Sequence, residues 1–125
     1  MKHLPFLVAL PLALAVSTAH ADCVYPQAPQ SLPNGSQASK DQMVAAQTEI
    51  KDYSNAVQEV YLPCLEKEKN DSIAALDSAD PEYAAKKNAI ESIQAKKHNA
   101  AIDELQAVAD RWNTERKAFA EAQKK

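Results

Sequence analysis

Ser39–Leu65, SKDQMVAAQTEIKDYSNAVQEVYLPCL, reads as one long amphipathic helix and decides the fold. Ser39 is placed to cap it and Gln42, three residues on, to complete a capping box, with Ala38 and Met43 at the staple positions. The apolar residues then fall into heptad rows, as in a coiled coil: Met43, Ile50, Val57 and Cys64 in one, Ala46, Tyr53 and Val60 in the other. One apolar seam requires a partner helix. Val44, Tyr61 and Leu62 widen the face.

Pro63 disturbs the pattern. An interior proline loses a backbone hydrogen bond and clashes one turn back, which predicts a kink over Glu59–Pro63. Beyond it the apolar pattern resumes in a shifted register at Leu62, Leu65, Ile73 and Leu76. Asn70-Asp71-Ser72 is a candidate break, and the alternating run Glu66-Lys67-Glu68-Lys69 reads as a solvated face.

Asp80-Pro81 restarts a helix, with the aspartate as cap and the proline in the first turn. The second helix carries Tyr83, Ile90 and Ile93, then His98, Leu105, Trp112 and Phe119 at heptad spacing, with Ala101 and Val108 as the companion row. Two helices of this length, 39–77 and 81–122, joined by a short turn fold back as a long antiparallel hairpin. A turn centred near Ala79 brings Tyr53 to Leu105, Ile50 to Val108 and Ala46 to Trp112.

The start of the chain reads as an export signal rather than structure. Met1-Lys2-His3 is a basic start, 4–16 is apolar, and Ala19-His20-Ala21 is a small-x-small cleavage site. An apolar run containing Pro5 and Pro11 is shorter than the ~20 residues that span a bilayer. The expected product begins at Asp22 as a single domain, 22–125, with no transmembrane segment. With 17 acidic against 14 basic residues and its lysines dispersed, the chain lacks the basic patch of a nucleic-acid binder.

An exported chain meets an oxidising compartment. Its two cysteines, Cys23 and Cys64, allow one intramolecular disulfide, with intermolecular pairing or free thiols as the alternatives, and they are too far apart for a CxxC redox motif. If they pair, geometry is demanding. Cys64 lies about 37 Å along the helix from Ser39 at 1.5 Å per residue, and the chain back to Cys23 reaches about 50 Å at polyproline rise. Residues 22–38 must then run as an extended strap along the first helix. Pro26, Pro29 and Pro33 suit that path, Asn34-Gly35 supplies a turn, and Tyr25 and Leu32 are its anchors, over 57–60 and near Met43 and Trp112. The fold class is therefore all-α: a helical hairpin with an N-terminal strap held by one disulfide.

No constellation of catalytic, metal-binding or cofactor-binding residues emerges. His98 is the one histidine after the leader and has no convergent co-ligands, so it reads as a packed or boundary residue. Asp103-Glu104 and Asp77 with Asp80 read as surface acids, because neighbouring helical residues diverge. Tyr53, Tyr61, Tyr83, Trp112 and Phe119 fall on the seams and read as core, with a peptide groove as the alternative. Lys86 and Lys97 share a face that could meet an anionic polymer, but interleaved acids favour a solvated surface.

These features together resemble a family of small, uncharacterised exported proteins of Gram-negative bacteria. Its pattern is an N-terminal cysteine (here Cys23), a proline-rich stretch (Pro26, Pro29, Pro33), a (D/N)G turn (Asn34-Gly35), a capped helix with a methionine (Ser39 to Met43) and a YLxC motif (Tyr61-Leu62-Pro63-Cys64). The closing segment AIDELQAVADRWNTERKAF is also similar, with Trp112 where phenylalanine is more usual. The resemblance implies a periplasmic location and this architecture, and carries no activity. The expectation is a non-enzymatic protein that binds another envelope protein or polymer as adaptor, inhibitor or chaperone. A structural protein that self-associates, for instance as a homodimeric four-helix bundle, is the alternative.

Overall fold

The computed structural model describes residues 22–124; the expected signal peptide, 1–21, lies outside the described residues. All regular structure among these residues is helical, in the order α1 (Lys40–Asn55), a π turn (Ala56–Tyr61), α2 (Leu62–Ala74) and α3 (Tyr83–Ala122). None of these helices is long and apolar enough to cross a membrane.

The start of α1 follows from its capping box. Ser39 Oγ accepts the Gln42 amide at 3.2 Å, and Gln42 Oε1 accepts the Ser39 amide at 2.8 Å. Ala38 packs beside Met43, as a staple does.

The disturbance expected around Pro63 takes the form of the π turn. Leu62 donates its N–H to the Val57 carbonyl five residues back, and Pro63 then falls in the first turn of α2, where its missing N–H matters least. The backbone stays helical through the junction, so 40–74 is uninterrupted, and Asn70-Asp71-Ser72 does not break it. This wide turn also resets the seam. Met43, Ala46 and Tyr53 are buried before it, then Val57, Tyr61 and Leu65 at steps of four. Four residues overshoot an α-helical turn by about 40°, and the residue that a π turn adds offsets that drift. A strict heptad instead places Val60 inside. Val60 is 67 % exposed and Tyr61 is 7 % exposed, so the expected row is corrected by one residue.

The helix ends at Ala74 rather than 77, and α3 begins at Tyr83 rather than 81, because a run of turns occupies the interval. Asp80 is therefore not the cap: the cap position falls to Glu82, which makes no side-chain cap bond, and Asp80 Oδ1 accepts the Glu82 amide at 2.8 Å within the preceding turn. On α3 the buried residues are Gln94, Ala101, Val108 and Trp112. Ile93, expected on the seam, is 55 % exposed, and His98 is exposed rather than packed. The buried row is the expected companion pair Ala101 and Val108, continued one heptad back to Gln94, whose amide donates to Glu68 on α2.

Two apolar clusters result. Tyr53, Val57, Tyr61, Leu65, Ala101 and Val108 form the larger, with Cys23 and Ala28 packed against it. Met43, Ala46 and Trp112 form the other, joined by Leu32 and Phe119, so Ala46 and Trp112 meet and Leu32 lies where expected.

Candidate functional site

Residues 22–38 and the middles of the helices converge on Cys23–Cys64, which form a disulfide with Cα atoms 5.8 Å apart. Tyr25, two residues on, places its ring edge-on to Tyr61 at 4.9 Å and to Tyr53 at 6.4 Å, and its hydroxyl hydrogen-bonds that of Tyr53 at 2.5 Å. Burial, reinforced by this hydrogen bond, pushes the Tyr53 phenol far above its ordinary value. The Tyr25 anchor thus lies over Tyr53 and Tyr61.

Beside the disulfide sits a polar knot that links α2 to α3. Glu68 Oε1 accepts Lys97 Nζ at 2.9 Å and Gln94 Nε2 at 2.9 Å. Lys97 first, then Gln94 and the nearby Cys23 backbone amide, hold the Glu68 carboxyl below its usual range against the opposing effect of burial. Glu68 holds Lys97 above its ordinary value in turn. Glu68 Oε2 and Gln94 Oε1 are buried and make no hydrogen bond. Reading Glu66–Lys69 as a solvated face misses this knot, since charge alternation does not reveal that Glu68 turns inward.

Farther along, Gly35 closes on α3. Asn34 builds the turn: its carbonyl accepts the amides of Gln37 and Ala38, and its Oδ1 accepts the Ser36 amide. Gly35 serves a different purpose from the expected one. It has no positive φ, so the turn does not demand glycine. Instead a Cβ there would lie 1.9 Å from the Glu115 carbonyl oxygen and 2.9 Å from the Phe119 nitrogen, backbone atoms that cannot move aside. The Gly35 amide also donates to Glu115 Oε2 at 2.7 Å.

Between residues 25–30 and α3 lies an open groove of about 670 Å³. Tyr25, Pro26, Ala28, Tyr61, Ala100 and Ala101 give it an apolar floor, with Lys97 and Glu104 at the rim. Two smaller grooves run between the helices elsewhere. One, about 360 Å³, is lined by Leu62, Leu65, Glu66, Glu91 and His98, and the other, about 270 Å³, by Ile50, Ile102, Leu105 and Ala109.

The remaining candidates are placed as follows. Tyr53, Tyr61 and Trp112 are buried, while Tyr83 and Phe119 are half-buried. Asp77 and Asp80 accept the amides of Ala79 and Glu82 in the connecting turns. Lys86 and the Glu82 amide hold the Asp80 carboxyl below its usual range. Lys86 bridges Asp80 at 2.6 Å and Glu82 at 3.3 Å, and Lys97 is taken up by Glu68, so both cations of the shared face are paired. Among the described residues no three His, Cys, Asp or Glu are grouped to hold a metal ion. No protein-family model, curated protein or solved structure matches the chain.

Proposed function

We propose that the protein is a non-enzymatic binding protein of the periplasm, exported by a cleaved leader and belonging with the small exported proteins it resembles. In this reading α1, the π turn and α2 form one arm of a long antiparallel helical hairpin and α3 the other. Residues 22–38 are a strap stapled across it, and the strap–α3 groove takes up an extended segment of another envelope protein or polymer. The groove carries the reading: aromatic, proline and alanine walls flanked by one cation and one anion offer area and orientation together. The contacts of Tyr25, Leu32 and Gly35 support the strap, and the meeting of Ala46 with Trp112 supports the antiparallel pairing.

Affinity capture from an oxidised envelope extract tests this, comparing the native sequence with Ala100→Glu, which puts a charge on the groove floor. Retention of a stoichiometric partner by the former and its loss from the latter supports groove binding. A partner retained equally by both contradicts it. Bait recovered alone, at twice its monomer mass, replaces binding with self-association. That second reading draws on exposed Val44, Val60, Ile93 and Ile102, apolar side chains that a second copy would cover.

A further inference from the structure

The strap is held in two unlike ways along its length. From Pro29 to Ala38 it is fixed by packing and backbone fit: Pro29 and Gly35 are buried, Leu32 joins Met43, Ala46 and Trp112, and Gly35 locks against Glu115. From Asp22 to Ala28 the non-covalent hold is thin. Val24 is 86 % exposed and Tyr25 38 % exposed, and no backbone-to-backbone hydrogen bond ties this stretch to a helix. Its attachments are the Tyr25 contacts, the fit of Cys23 and Ala28 against the larger cluster, the Cys23 amide beside the Glu68 carboxylate, and the disulfide. Fixing each of these residues opposes docking by its conformational entropy, so the covalent bond decides where they sit. Cys23 and Cys64 are both half-buried rather than sealed in the core.

We propose that residues 22–28 are a redox-released flap: reduction of Cys23–Cys64 frees them from Tyr53, Val57 and Tyr61, while 29–38 remain docked as a permanent anchor. The proposal rests on the strap-and-hairpin reading above and adds its regulation. The reductant is a dithiol. One of its thiolates attacks a sulfur of the disulfide, breaking the S–S bond and forming a mixed disulfide, and its second thiolate displaces the protein sulfur. Two electrons and two protons pass to the chain, leaving Cys23 and Cys64 as thiols and the reductant as a disulfide. The flap then no longer covers the tyrosine surface, and the groove beside it widens onto Tyr53 and Val57.

Backbone NMR order parameters of the purified protein, oxidised and after dithiothreitol, test this, with Cys64→Ser as a reagent-free equivalent. On reduction those of 22–28 should fall below about 0.6 while those of Leu32 and Gly35 stay near about 0.85. The Tyr53 phenol, followed by its ultraviolet absorbance, should titrate at lower pH once Tyr25 leaves. Residues 22–28 remaining rigid after reduction would overturn the flap, as would loss of 29–38 or of the helices together with them. If Leu32 and Gly35 are already flexible in the oxidised protein, the strap itself is wrong and the flap falls with it.

Discussion

Replacing Gly35 with alanine gives opposite signs under two explanations of that glycine. If Gly35 merely occupies a turn, its φ is one that alanine adopts freely, and Gly35→Ala should stabilise by about 0.4–1 kcal/mol through the unfolded state. The packing against α3 requires the reverse. The added Cβ would sit 1.9 Å from the Glu115 carbonyl oxygen, well inside van der Waals contact, and backbone cannot rotate away. Residues 32–36 must lift, which breaks the charge-assisted bond from the Gly35 amide to Glu115 Oε2 and loosens Leu32 against Trp112. A hydrogen bond to a charged group contributes about 1.5–3 kcal/mol, and forcing bulk into a packed site costs about 1–3 kcal/mol. These overlap, so the expected loss is about 3 kcal/mol, or a fall in Tm of about 12–20 °C for a domain of this size. Thermal unfolding followed by circular dichroism, with Trp112 fluorescence reporting the strap, measures it. An unchanged or raised Tm would refute the close approach.

Other perturbations have equally definite outcomes. Replacing Cys23 and Cys64 together with serine opens a loop spanning a sequence separation of 41, which the chain-entropy relation puts at about 4 kcal/mol; denaturant unfolding checks it. Val60→Glu should change stability by less than about 0.5 kcal/mol, whereas Tyr61→Ala should cost about 3 kcal/mol; equal costs would place the seam on the heptad and remove the π turn. Because the folded Glu68 carboxyl is held below its unfolded value of 4.5, its stabilising contribution is complete above that value and is lost as pH falls through the folded one. Glu68→Gln should therefore flatten the acid limb of a stability-versus-pH curve while lowering the neutral plateau, as chemical unfolding from pH 6 to pH 3 would show.

Much of the fold is written in local signals, and what is hidden has physical reasons. The capping box at Ser39 and the meeting of Ala46 with Trp112 follow from spacing, whereas the restart expected at Asp80-Pro81 comes at Tyr83, after further turns. Pro63 marks where regularity fails but not how, since a kink and a π turn satisfy the same steric clash. That ambiguity exchanged Val60 for Tyr61. Gln94 lies one heptad before Ala101 and Val108 and so falls on the buried row, which leaves Ile93 exposed, and Glu68 is concealed within an alternating charge run. The groove beside Tyr25 is less legible still. It is formed where residues 25–30 meet α3, so no single segment carries its signature, although Tyr25, Tyr61 and the prolines at 26, 29 and 33 are visible separately.

The most direct test of the account is a photoreactive residue at Ala100, on the groove floor, in the oxidised protein within an envelope extract, with the same residue at exposed Asp103 as the outer-face control. The account predicts a discrete heterologous adduct from position 100 and none from position 103. Equal adducts from both positions, or crosslinks only to a second copy of the chain, would contradict it.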